Sequence, residues 1–338
     1  MKRIIAVFLF ILLAFSLVAC GASSTDTDSS SSTNINTNTN TNTNTNTDTS
    51  NNIIVPAKTS ATLGETLIID NLAVTLMNVE EYTDDSEFPM DVPETGKIFI
   101  ILKFKIKNIG STDDSLNVYN ESSYCDDIAI ESDSYLINYE GVSPWGSIAA
   151  GKTRYGYVSY EVQPSWQKLE LIYKNGFGSN DSYTFTAKSS DLGKGSSDIE
   201  PDTSIPSGAG VGDFSCSESF KFTLTSVSLY QGSDLDKPKS GKKFVVLNFK
   251  VENITSDSEY VNLLNEDSYC DNVAIDPVSF FYDLDGDEIW GELASGKSKL
   301  GYVAYEVPTD FTSIEFMFLE SFTNQKAHFV VTADDFNN

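Results

Sequence analysis

Histidine is nearly absent from this 338-residue chain, which has one, His328. Imidazole-dependent catalysis would rest on that residue alone. It precedes Phe329-Val330-Val331, an apolar strand-like setting in which histidine is ordinarily structural. Cysteine is scarce too, with four residues, and cysteine-rich zinc modules are ruled out. Basic side chains are few: 22 Lys and Arg stand against 49 Asp and Glu, a formal net charge of −27. Phosphate backbones are bound by clustered Lys and Arg, so nucleic acid is not an expected partner. Direct adsorption to anionic lipid is disfavoured for the same reason. Such a surface repels itself, stays soluble and leaves room for cations. No glycine-rich phosphate loop and no histidine-bearing metal motif occurs. No window of useful length carries a helical 3.6-residue period.

What the chain does have is a long repeat. Gly96 to Val162 returns as Gly241 to Val307 without an insertion (241 − 96 = 145). Ser123-Tyr124-Cys125-Asp126 becomes Ser268-Tyr269-Cys270-Asp271, and Trp145-Gly146 becomes Trp290-Gly291. Gly156-Tyr157-Val158 with Tyr160-Glu161-Val162 becomes Gly301-Tyr302-Val303 with Tyr305-Glu306-Val307. Self-similarity at one offset means one structural unit used twice.

The N-terminus is a basic dipeptide, Lys2-Arg3, an apolar run from Ile4 to Ala19, and then Cys20. The run is shorter than the roughly 20 residues of a spanning helix, so it reads as a signal peptide over residues 1–19. Leu17-Val18-Ala19-Cys20 resembles the bacterial lipobox, which implies lipidation of Cys20 and a membrane-anchored chain on the extracytoplasmic face. The bland alternative is an ordinary secretory peptide with Cys20 incidental. Residues 20–57 are Ser, Thr and Asn with almost no apolar side chains, a composition expected to stay disordered. A tether of about 40 such residues has a root-mean-square reach of about 35 Å.

The remainder alternates with period two. Ile98, Ile100, Leu102, Phe104 and Ile106 share one face of a strand, and Lys103, Lys105 and Lys107 share the other. Leu72, Val74 and Leu76 alternate likewise, with Val79 closing the run. One face in a core and one in water, many short strands and frequent turn residues make the fold all-β, two β-sandwiches in tandem. The expected domains are 58–188 and 211–338, joined by a Ser, Gly, Asp and Pro linker over 189–210.

The strand opening Gly96-Lys97-Ile98-Phe99 and ending at Asn108, with Gly151-Lys152 and Gly156 to Val162, carries a family resemblance, repeated from Gly241-Lys242 to Val307. It resembles the immunoglobulin-like (telokin-like) domains of unknown function in bacterial surface lipoproteins, which are distantly similar to the mycobacterial immunoprotective secreted antigen. The motifs are structural, so the resemblance implies a fold and an extracellular setting and no reaction.

Several residues invite a chemical reading. Asp283, Asp285 and Asp287 with Gly286 form the densest carboxylate cluster, as a calcium loop would, but the twelfth position from Asp283 is Ala294 rather than Glu. The alternative is a hairpin turn at Asp-Gly, where glycine tolerates positive φ. Asp126 and Asp271, with Glu121 and Glu266 just before, could be a repeated ion site or a repeated turn. Trp145 and Trp290 could stack on envelope sugars or fill the cores. Lys152 and Lys297, each after a glycine, read as turn residues. Cys216 aligns with Ile68, leaving open a Cys216–Cys270 disulfide, a Cys125–Cys270 bond between the domains, or three buried thiols.

The expectation is a lipid-anchored, non-enzymatic binding or adhesion protein whose partner is a protein or a cell-envelope glycan. Two alternatives stand beside it: an adhesion module stiffened by calcium, and a secreted hydrolase using clustered carboxylates, for which no supporting partner groups are visible.

Overall fold

The computed structural model describes residues 58–117, 121–132, 136–139, 141–174, 181–234, 236–263, 267–278, 281–320 and 325–337. The signal peptide, Cys20 and the tether lie outside the described residues, as do Glu140 and Glu266.

The first repeat forms strands β1 (Ser60–Thr62), β2 (Thr66–Ile69), β3 (Leu72–Tyr82), β4 (Ile98–Asn108), β5 (Asp114–Leu116) and β6 (Glu121–Cys125). It continues with β7 (Ile128–Ile130), β8 (Gly146–Ile148), β9 (Thr153–Val162), β10 (Lys168–Lys174), β11 (Ser182–Lys188) and β12 (Lys194–Gly195). The second forms β13 (Phe214–Cys216), β14 (Phe220–Tyr230), β15 (Lys242–Asn253), β16 (Glu259–Asn262) and β17 (Asp267–Cys270). It ends with β18 (Val273–Ile275), β19 (Trp290–Leu293), β20 (Ser298–Pro308), β21 (Ser313–Leu319) and β22 (Lys326–Thr332).

Each repeat packs two sheets face to face. In the first, β2, β3, β4 and β9 cover β1-β11-β10-β6-β7. In the second, β13-β14-β15-β20 covers β18-β17-β21-β22. The alternating apolar residues of β3, β4 and β9 meet Leu169, Leu171 and Phe185 in one core, with Trp166 fully buried. Phe222, Leu247, Phe249, Val303, Phe316 and Phe329 build the other. Val79 breaks the alternation because β3 carries a bulge between Leu76 and Asn78, which turns Val79 back to the core. The second repeat keeps the bulge, between Leu224 and Ser226.

The opposite face of the long strands is not simply wet. Phe99 and Ile101 pack with Leu136 and Tyr157 under one loop, and Phe244 and Val246 pack with Phe281 and Tyr302 under its counterpart. Gly156 and Gly301 recur because the end of each loop crosses the strand there. A Cβ on Gly156 would lie 2.5 Å from the Pro144 backbone, and one on Gly301 2.3 Å from the Asp287 carbonyl oxygen.

Residues 189–210 are not a free linker. They form a 3-10 turn (Ser189–Asp191), pair β12 with β3, ion-pair Glu200 with Lys105 at 2.5 Å, and reach Phe329 through a bridge at Ala209. Polar composition argued for a solvated spacer. The edge of β3 and the donors near it instead give this backbone hydrogen-bond partners.

The two sandwiches also meet directly. Val273 in β18 pairs with Thr153 in β9, so one nine-stranded sheet runs through both repeats.

Candidate functional site

The recurring carboxylates and amides hold turns. Asp126 and Asp127 lie at φ of 48° and 68°, and Asp271 and Asn272 at 49° and 62°. These are two-residue hairpin turns of the type that needs positive φ at both positions, which Asp and Asn tolerate. The Asp126 carboxylate accepts the N–H groups of Gln167 and Lys168, and Asp271 accepts those of Thr312 and Ser313. Asp91 takes the N–H groups of Ile137 and Asn138, and Asp236 those of Tyr282 and Asp283. Asn108, fully buried at the end of β4, donates to Thr112 and Ile148 carbonyls at 2.8 Å each and accepts from Gly110 N–H at 2.9 Å. Asn253 repeats the pattern with Asp257, Leu293 and Thr255. The turn reading of Asp126 and Asp271 is therefore the observed one. Asp91 and Asp236 lie too far from their partners in sequence to be seen by local pattern.

Asp283, Asp285 and Asp287 do not converge on a cation position. Among the described residues no group of three His, Cys, Asp or Glu side chains could hold a metal ion. The segment is stretched over the sheet instead: Asp236 fixes its start and Tyr302 N–H bonds to the Asp287 carbonyl. The Cys216–Cys270 bridge also does not form, since Cys125, Cys216 and Cys270 are free thiols. The pairing register confirms that Cys216 stands where Ile68 stands, an outward position on an edge strand, whereas Cys270 belongs to the core. Burial, with the Asp271 charge adding to it, pushes the Cys270 thiol up to about 12.

The repeats diverge most at their tryptophans. Trp145 is partly buried and stacked on Tyr173 with ring centroids 6.2 Å apart, which covers one indole face. Trp290 is 58% exposed. It lines an open cleft of about 360 Å³ with Phe281, Asp287, Glu288, Lys299 and Tyr302. Lys299 Nζ donates to the Trp290 carbonyl at 3.0 Å and lies 5.8 Å from its ring centre. Desolvation raises the Glu288 carboxyl above its ordinary value, and among the described residues its Oε1 has no hydrogen-bond partner. Burial, then the charges of Glu288 and Asp287, raise the Tyr302 phenol. The arrangement offers one aromatic platform and one cation, with an unsatisfied but buried carboxylate oxygen beside them. Its two carboxylates come from adjacent positions of one segment. Sequence inspection found Trp290 and Asp287. Glu288 was visible as the last member of the carboxylate cluster that begins at Asp283, whereas Lys299 carried no signal, because a single charged residue in a strand-rich chain is unremarkable.

Residues 61–184 and 209–328 each match one family model, that of a domain of unknown function, DUF4352. The chain belongs to that family. No curated protein matches it in sequence. Among solved structures it is similar to the ycdA protein of Bacillus subtilis, a candidate lipoprotein by its given name, at 17% identity over 40% of each chain and a TM-score of 0.31. It is similar to the yjhA protein of Bacillus subtilis at 18% identity over 38% of this chain and 97% of that one, TM-score 0.28. It is also similar to an uncharacterised β-sandwich protein of Clostridium difficile at 15% identity, over 39% and 94% of the two chains, TM-score 0.25.

The junction of the two DUF4352 units is polar at its centre. Lys152 is not a turn residue in the solvated sense. Its Nζ donates to Glu315 at 2.6 Å and to Asn272 Oδ1 at 2.5 Å, and lies 5.3 Å from the Tyr269 ring centre. His328 Nε2 approaches the other Glu315 oxygen at 3.3 Å. Burial alone would raise the Glu315 carboxyl, but the His328 and Lys152 contacts more than offset it and leave the pKa lowered. Tyr269 accepts the Ala149 N–H at 2.8 Å, and Ala149, Tyr269, Ala274 and Met317 form a small apolar cluster around the pair. Arg154 faces Asp276 at 3.7 Å, and Lys326 reaches Asp113. The sole histidine is thus spent on the joint between the two DUF4352 units.

Proposed function

We propose that this DUF4352 protein is an extracytoplasmic lipoprotein, held at Cys20, that binds a sugar-ring component of the cell envelope in the Trp290 cleft without transforming it. The observation that carries the reading is the divergence of the paired tryptophans. In a duplicated scaffold a large aromatic gains nothing by leaving the core, so an exposed Trp290 beside an unsatisfied Glu288 oxygen is suited to a ligand. A pyranose stacks on an indole face and offers hydroxyls to a carboxylate acceptor. The adjacent placement of Asp287 and Glu288 favours binding over hydrolysis, which needs two carboxyl groups flanking the scissile bond. Among the described residues no helix is long and apolar enough to cross a membrane, which is compatible with a lipid anchor.

Titration with soluble fragments of envelope glycan, followed by tryptophan fluorescence, tests the cleft. Trp290→Ala should abolish the response and Trp145→Phe should preserve it. Equal binding by Trp290→Ala would remove the cleft from consideration. Separately, Cys20→Ala or globomycin should release the chain from membranes, and retention would remove the anchor.

A further inference from the structure

The contact between the two DUF4352 units is of the head-to-tail kind: one unit offers the β9 face and the other offers the β18 face. Because both units carry both faces, one of each is left over. The unused counterpart of β9 is β20, the open edge of the sheet β13-β14-β15-β20, and the unused counterpart of β18 is β7, the open edge of β1-β11-β10-β6-β7. The residues on these free edges match those in the joint. On the β20 side, Lys297, Ser298, Lys299 and Ala294 stand where Lys152, Thr153, Arg154 and Ala149 stand. On the β7 side, Glu170, Glu131, Ile128 and Tyr124 stand where Glu315, Asp276, Val273 and Tyr269 stand. Burial differs as an occupied and an empty face should. Lys152, Val273 and Ala149 are buried, whereas Lys297, Ala294 and Ile128, the last 71% exposed, are not.

We propose that a second copy of this chain docks head to tail, the β20 edge of one copy on the β7 edge of the next, reproducing between molecules the joint seen within one. The charges match pair for pair. Lys297 would face Glu170 and Asp127, and Lys299 would face Glu131. In the free chain Asp127 and Glu170 hold Lys168 at 2.8 and 2.9 Å; Lys168 replaces Ser313 of the occupied joint. Asp127 is exposed and Lys168 and Glu170 are each part-exposed, so water screens both pairs and exchanging their partner is inexpensive. Strand edges with unpaired backbone groups are the usual sites of such addition. An interface of two different faces does not close on itself, so the product is a row of chains rather than a symmetric dimer. The net charge of −27 opposes association at low salt, but that repulsion is screened beyond about 8 Å at physiological ionic strength.

The test uses the chain from Gly21 onward, which keeps the compact unit Pro56–Asn338 and omits the lipid. Its mass is followed by sedimentation from micromolar to about 1 mM, the effective concentration that tethering to one surface supplies. Wild type should grow beyond a dimer with concentration. Lys297→Glu blocks one face and Ile128→Glu, at an exposed position of β7, blocks the other without creating a charge that complements the first, so each variant alone should remain monomeric with an unchanged melting temperature. Their equimolar mixture should give a dimer and nothing larger. A wild-type chain that stays monomeric throughout overturns the proposal, even if the same face captures a different protein. So does association that Lys297→Glu leaves intact, or a mixture that yields no dimer.

Discussion

Lys152 and Glu315, 163 residues apart in the chain, form a buried ion pair at 2.6 Å across the joint of two repeats. Removing one partner leaves the other charged and desolvated. Lys152→Ala is expected to lower stability by about 3 kcal/mol and to split the calorimetric transition into two, one per unit. Lys297→Ala, the same residue at the same place in the second repeat, is expected to change stability by less than about 0.5 kcal/mol. Denaturation followed by calorimetry and urea titration compares the two directly. Equal effects would contradict the burial difference.

Glu315 sets a pH dependence. Its folded-state carboxyl is lowered from the ordinary 4.5. A group lowered on folding contributes stability that is present above the unfolded value and is lost as pH falls through the folded one. The stability gap between wild type and Glu315→Gln should therefore be constant above about pH 6 and narrow below 4.5. Urea midpoints measured across that range check this, and a gap that widens in acid is the result that would contradict it.

The twin asparagines offer a paired measurement. Asn108→Ala strands one buried carbonyl, one part-buried carbonyl and one N–H, and Asn253→Ala does the same in the other unit. Each substitution should cost about 2–4 kcal/mol, and Asp in place of either should fare no better because it cannot donate. Thermal melts of the four variants provide the check.

The thiols should behave as free groups of different access. Cys270, buried and pushed up to about 12, should react with a thiol reagent only on unfolding, while Cys125 and Cys216 are partly accessible. Reducing agent should leave the melting temperature unchanged, because no disulfide joins the described cysteines, Cys125, Cys216 and Cys270. A reductant-dependent fall in melting temperature would restore the Cys216–Cys270 bridge.

Much of the candidate site was out of reach of local pattern. The motif ending in Asn108 was visible as a repeat, but its three hydrogen bonds connect strands and loops up to 40 residues away. Asp283-Leu284-Asp285-Gly286-Asp287 read as a cation loop because only composition was visible. Its backbone anchors, Asp236 and Tyr302, are supplied by other strands. The linker read as solvated because its residues are polar, although the strand edges beside it supply partners.

Alternation of apolar and polar residues belongs to the chain itself, since successive strand side chains point to opposite faces whatever lies beyond them. For that reason the strands, the duplication and the sandwich fold were all present in the sequence. Burial belongs to the neighbour rather than to the residue. Gly151-Lys152 and Gly296-Lys297 are the same dipeptide at the same place in one motif, and so are Trp145-Gly146 and Trp290-Gly291. Only the assembled structure could decide which lysine would be sealed in a joint, because that depends on which strand edge the other unit covers, and which tryptophan would face water, because Trp145 stacks on Tyr173 of its own unit while Trp290 stays outside its unit's core.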